Sequence, residues 1–150
     1  MSYVNKLTTM GYVLQKGELN TGRFMSAVQV GSLVYSSGAV SRFQEQEIKG
    51  HIGADLTVEQ GYLAARLSTL NALQAVHSLV GLDTVVRIVK VLGMVNVATG
   101  FDNTPAVIHG CSDLLLEVFG EAGRHARSAV GMVIPYAFAT EVELIVEVAR

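Results

Sequence analysis

The stretch Thr84 to Val97, TVVRIVKVLGMVNV, constrains the fold more than any other part of the chain. It is dense in β-branched side chains and apolar at both parities, and a strand of that kind is covered on both faces. Two amphipathic helices elsewhere in the chain can cover one face. The remaining strands are too few to supply a second layer, so the other face is expected to be buried by neighbouring subunits. A hydrophobic share of 50% points the same way, since it exceeds what one ordinary core requires.

The flanking segments supply those helices and a few more strands. Tyr12 to Lys16 reads as a short first strand. Phe24 to Val30 and Leu33 to Ser37 flank Gly31-Ser32, a hairpin signal in which glycine takes the positive φ of a type II′ turn. Ser41 to Asp55 is polar, contains Gly50 and Gly53, and reads as a loop. Thr57 is placed as an N-cap, with Gln60 completing a capping box. Leu63, Leu67, Leu70, Leu73 and Val76 or His77 then recur at helical spacing until Gly81 stops the helix. About 24 residues at 1.5 Å each make this helix roughly 36 Å long, enough to cross a sheet. A second helix opens at Thr104-Pro105, as N-cap and first-turn proline. Its inner face carries Val107, Cys111, Leu114 or Leu115, and Val118, and Gly120 ends it. Arg127 to Ile134 and Thr140 to Val148 are the last strands. In the second of these Val142, Leu144, Val146 and Val148 take one face, and Glu141, Glu143, Ile145 and Glu147 the other. This order predicts an α+β domain with a mixed sheet and both helices on one face.

A chain of 150 residues with no linker, repeat or low-complexity tract reads as one domain, residues 1–150. No run reaches the roughly 18 apolar residues of a membrane span, and MSYVNKLTTM lacks the pattern of a secretory signal. A net charge of −2 without a basic run argues against nucleic acid as partner. Cys111 is the single cysteine, so no internal disulfide can form, which fits a cytoplasmic location.

The segment His125-Ala126-Arg127-Ser128-Ala129-Val130-Gly131 places one arginine inside a strand-like run, and Glu141 follows Pro135 by six residues. An arginine fork suits a carboxylate, and a glutamate can move a proton or orient water. The two residues read either as the pocket of a small carboxylic acid or as an ion pair joining two strands. His51, His77, His109 and His125 have no metal-ligand spacing, and Cys111 has no ligand-spaced partner, so no metal site is expected. His77 reads as a histidine at the core edge, and His125 points to the same side of its strand as Arg127. Ser36-Ser37-Gly38 lacks a base for a nucleophilic serine but ends a strand with hydroxyls and amides that suit an anion. Asp113 and Glu117 read as a solvated helix face, and the three glutamates of the last strand as its wet or interface side.

Several blocks, in order and nearly end to end, carry a family likeness. They are Gly31-Ser32-Leu33-Val34-Tyr35-Ser36-Ser37-Gly38, Ile52 to Asp55, Gly81-Leu82-Asp83, Arg127-Ser128-Ala129-Val130, and Ile134-Pro135 leading into Glu141-Val142-Glu143. With them the chain resembles the RidA/YjgF family of reactive-intermediate deaminases, whose older label is endoribonuclease L-PSP. The resemblance implies a chorismate-mutase-like fold and a homotrimer with a central barrel and ligand clefts between subunits. It also implies hydrolysis of amino-acid-derived enamines and imines to 2-keto acid and ammonia without a cofactor. By the same resemblance Arg127 clamps the substrate carboxylate and Glu141 orients water or shuttles the proton. Ser37, Gly38, Phe24 and Ala129 line the ligand site. Phe24 stands where the family usually has tyrosine and Ala129 where it often has cysteine. The Arg-to-Pro spacing is one residue shorter, and the segment 93–110 is longer. A non-catalytic member that binds small carboxylates through Arg127 is the alternative reading.

Overall fold

The long apolar segment folds as the inner strand of a mixed sheet in a computed structural model, which describes residues Met1–Arg150. The chain runs α1 (Tyr3–Thr9), β1 (Ala27–Val30), β2 (Leu33–Ser36), β3 (Ala39–Val40), β4 (Arg42–Phe43), β5 (Gln46–Glu47) and α2 (Val58–Val80). It continues through β6 (Val85–Asn96), α3 (Thr104–Phe119), β7 (Ala126–Met132) and β8 (Thr140–Val148). The sheet order is β1-β2-β8-β6-β7, with β3 also paired to β8, and β4–β5 form a separate ribbon. Only β6 and β7 run parallel, joined by α3 as the crossover helix. This is an α+β fold with a mixed sheet and three α-helices.

Register assigns each side chain to a face. Ile88, Val91 and Val95 of β6 and Val142, Leu144 and Val146 of β8 point to α2 and α3 and are fully buried. Two register irregularities, between Val85 and Arg87 and between Ile88 and Lys90, reset the parity of β6. That is one reason β6 reads as apolar at both parities. The other is its second face. Leu92 and Met94 join Val28, Val30, Tyr35, Ile145, Val130 and Met132 on a face that no helix covers. Val30 is 68% exposed there. Within one chain the second apolar face stays open.

The capping box at Thr57 and Gln60 is present with both of its bonds, and Gly81 ends α2 with a φ of 79°. In the Gly31-Ser32 turn only the glycine has positive φ, 61°, as a type II′ turn requires. Other expectations need correction. Tyr12 to Lys16 is not a strand. Leu14 drops into the core, while the amides of Gln15 and Gly17 bond the side chains of Gln74 and Ser78 on α2. Strand β1 starts only at Ala27, because Phe24 closes a turn on Thr21. The polar stretch 41–55 holds the β4–β5 ribbon rather than loop alone. Thr104 does not cap α3. Asn103 precedes the helix, and the Thr104 hydroxyl donates to the Ala129 carbonyl of β7 at 2.9 Å. Strand β7 stops at Met132 rather than Ile134.

The inner face of α2 also differs from its leucine spacing. Leu63 is 53% exposed, whereas Gly61, Ala64, Ala65, Ser68 and Ala72 are buried. Small residues face inward because α2 packs on the sheet and on α3 at once. The third helix, α1, was not expected. Seven residues are too few to hold a helix by propensity. Tertiary contacts hold it: Ser2 caps it, Asp83 accepts from the Tyr3 and Val4 amides, and Leu7 is fully buried.

Candidate functional site

Glu141 lies in β8 between Val40 of β3 and Met94 of β6, half-buried on the open face of the sheet. Gly38 passes over its carboxylate. A Cβ at position 38 would meet the Glu141 carboxylate and force that side chain to shift. Burial raises the Glu141 pKa above the ordinary glutamate range, and neighbouring Glu143 adds to the effect. A carboxyl of this kind holds its proton at higher pH than a solvated one, a property of acid–base groups.

Gly38, Ser37 and Phe24 line one cavity of about 300 Å³, together with Val40 and Asn71. Phe24 is 60% exposed at its mouth, on the turn that Thr21 closes. Ser37 is less available to an anion than its place suggested. Its hydroxyl donates to the Met25 carbonyl at 2.6 Å and its amide to the Ser26 carbonyl, which leaves only an accepting oxygen. Ser36 is buried and its hydroxyl accepts from the Leu144 amide. Arg42 also lines the cavity and was not singled out in the sequence. The only local signal is its position four residues after Gly38, and no motif marks that spacing. A larger hollow of about 600 Å³, walled by Gln15, Gln44, Glu45, Gln46 and Gln74, contains none of the predicted residues and no cation.

Arg127 lies elsewhere. It pairs with Val91, whose partner in β8 is Leu144, so it points to the helix face. Its Nη1 donates to His109 Nδ1 at 3.0 Å and to Ser112 Oγ at 3.2 Å, both on α3. His125 Nδ1 meets the Gly123 carbonyl at 2.6 Å, which requires the proton on that nitrogen. Its Nε2 then accepts from the Ser112 hydroxyl at 2.9 Å. Burial first, and then Arg127, hold the His125 pKa down despite the Gly123 bond, so the ring is neutral. Arg127 is thus held by His109 and Ser112 and has no acidic partner in its own chain. Ala129 shares its side of β7 and packs against the core.

The predicted residues therefore fall into two groups. Gly38, Ser37 and Phe24 line the cavity by β3, Glu141 touches Gly38 without lining the cavity, and Arg127 and Ala129 sit on the edge strand β7. Within one chain Arg127 and Glu141 point to opposite faces of the sheet, and no ion pair joins their strands. His125 does share its side with Arg127, through Ser112. His77 accepts from the Leu82 amide at 3.1 Å, at the core edge. Asp113 and Glu117 link the helices, to the Tyr62 hydroxyl at 2.6 Å and to Arg66 at 3.1 Å. Burial pushes the Cys111 thiol up to about 12, which makes it inert. No three metal-ligating side chains come together.

A family model described as "YjgF/chorismate mutase-like, putative endoribonuclease" matches residues 5–148, nearly the whole chain. The chain belongs to this family. Protein TCP17 of Trypanosoma cruzi is 37% identical over 145 residues, covering 94% of this chain and 91% of that protein. A crystal structure from Shewanella oneidensis, titled as a "putative endoribonuclease", is 34% identical. It superposes with a TM-score of 0.90 over 99% of this chain and 100% of that one. The YjgF gene product of Escherichia coli is 25% identical, with a TM-score of 0.62 over 90% of this chain and 94% of that one. The YjgF fold thus accounts for the mixed sheet, and the chain follows the Shewanella structure more tightly than the Escherichia one.

Proposed function

We propose that the protein is a hydrolytic deaminase of enamines or imines that carry a carboxylate, acting as a homotrimer with sites between subunits. The observation that carries this reading is the split of the site. A half-buried acid sits beside a cavity near one edge of the sheet, and an arginine without an acidic partner sits on the other edge. Stacking three open apolar faces around an axis would bury them as a central barrel and set edges of different subunits side by side. Arg127 of one subunit then offers its Nε–Nη2 edge, which makes no bond in its own chain, to the substrate carboxylate. Glu141 takes a proton from water as the oxygen bonds to the imine carbon. It gives that proton to nitrogen, which forms a carbinolamine; it then takes the carbinolamine hydroxyl proton and passes it to nitrogen as the C=O bond forms and the C–N bond breaks, releasing a 2-keto acid and ammonia. The chemistry asks for no metal or organic cofactor. The endoribonuclease description of the family finds little support in this chain, whose net charge is −2 and which has no basic stripe for phosphates.

Light scattering at micromolar concentration is expected to give three times the chain mass of 16.0 kDa. A stable monomer would remove the shared site. Arg127→Lys is expected to weaken binding of small 2-keto acids by about 1.5–3 kcal/mol, the scale of a charge-assisted bond, because an ammonium cannot reproduce the fork. Unchanged affinity in an intact trimer would assign Arg127 to the α3 contact alone. A second reading, a non-catalytic binder of the same ligands, is favoured by one feature. Phe24 brings no hydroxyl to the cavity, and Ala129, without a thiol, faces the core. Keto-acid binding without imine turnover would select it.

A further inference from the structure

The cavity that holds Ser37 and Gly38 contains its own cation, Arg42, which the proposed mechanism does not use. Arg42 leads the β4–β5 ribbon, and its side chain is exposed. Its cross-strand neighbour is Glu47, yet the two form no ion pair, and no other acid pairs with Arg42. Its guanidinium carbon lies 5.5 Å from the centre of the Phe138 ring, and Lys49 Nζ lies 4.6 Å from the same ring. Two cations therefore share one aromatic side chain, Phe138, which lies outside the cavity lining, and the contact holds Arg42 against the ring. The opposite end differs. A second hollow of about 170 Å³ shares Ser26, Asn71 and Ala75 with the cavity, and its wall includes Glu18. A carboxylate is repelled at the Glu18 end and attracted at the Arg42 end.

We infer that the ligand of this site carries two carboxylates, and that Arg42 binds the second. The inference rests on the proposed inter-subunit site, in which Arg127 of a neighbouring subunit takes the first carboxylate. It narrows the substrate class to imines of acidic amino acids and the product to a 2-keto dicarboxylate. A volume of about 300 Å³ lies at the lower end of ligand pockets and suits a chain of four or five carbons. Asn71 also lines the cavity; one N–H of its amide donates to the Val40 carbonyl at 3.1 Å, which leaves the second N–H for a ligand carboxylate. Among the groups lining this cavity Arg42 is the only fixed charge that an anion can use.

Calorimetric titration of the full chain with 2-oxoglutarate, oxaloacetate and pyruvate tests the assignment. Either dicarboxylate is expected to bind at least about tenfold more tightly than pyruvate. Arg42→Gln is expected to erase that difference while leaving pyruvate affinity unchanged. The exposed position of Arg42 makes loss of folding a remote outcome, and an unchanged circular-dichroism spectrum and oligomer mass would verify it. Equal affinity for mono- and dicarboxylates in the wild type, or a preference that survives Arg42→Gln, overturns the role of Arg42 and leaves the deaminase reading standing. Failure of all three acids to bind removes the carboxylate site and this inference with it. Preferred binding of dicarboxylates without turnover of the matching imine supports Arg42 and sinks only the deaminase reading.

Discussion

Glu141→Gln is expected to lower imine hydrolysis by about 10²–10⁴-fold, the range of a general acid–base group. The amide keeps the shape of the side chain under Gly38 but can no longer accept and return a proton. Affinity for 2-keto acids should barely move, because the proposed carboxylate clamps are the arginines. The assay couples purified protein to a serine or threonine dehydratase in a buffer that hydrolyses the imine slowly, and follows keto-acid release. The raised pKa of Glu141 adds a pH signature. Activity that needs the ionised form should fall on acidification at a pH above the ordinary glutamate range, and this limb should vanish in Glu141→Gln. Because the folded state favours the protonated carboxyl, the same shift stabilises the fold in acid. That contribution is present below the unfolded-state pKa of Glu141 and lost as pH rises through the folded one. A wild type that does not accelerate hydrolysis at any concentration ends the deaminase reading.

Gly110→Ala is expected to destabilise the fold by about 3 kcal/mol, the upper part of the range for overpacking. Gly110 sits in α3 where the helix crosses α2. A Cβ there would lie 2.9 Å from the carbonyl carbon of Tyr62, against backbone that cannot rotate aside. The helices would have to separate, which would loosen the buried Leu70, Leu73, Leu114 and Leu115. Gly17→Ala is the control, since Gly17 has open space at its Cβ direction and no positive φ. It should change stability by no more than about 0.5 kcal/mol. Urea denaturation at equal protein concentration compares the two. A midpoint of Gly110→Ala equal to that of the wild type would mean that the crossing is looser than its geometry.

The strands and helices that the sequence determined are those with a complete local code. The capping box at Thr57 and Gln60, the Gly31 turn and the alternation of β8 each involve residues a few positions apart. Local hydrogen bonds and side-chain period decide such features, and the structure reproduces them. The open apolar face was legible only in part, since β8 keeps the period of two while two register irregularities reset the parity of β6. Features that depend on distant partners were not legible. Helix α1 needs Asp83, and the segment 12–16 needs the Gln74 and Ser78 side chains of α2. Leu63 turns outward because α3 and the sheet together claim a broad face of α2 that small residues fill.

The site divides along the same line. The family resemblance singled out Glu141, Ser37, Gly38 and Phe24, and the fold brings Glu141 against Gly38 beside the cavity that the other residues line, because β3, β8 and the turn before β1 meet there. It also singled out Arg127, but spacing cannot say which way a side chain points when a strand's register depends on its neighbour. Pairing with β6 turned Arg127 toward His109 and Ser112, on the face opposite Glu141. Arg42 was invisible, since its meeting with the cavity and with Phe138 depends on residues tens of positions away along the chain. Local chemistry was written in the chain; the direction of a charge, and what it faces, came only from tertiary packing, which sets strand register and brings distant segments within a few ångströms.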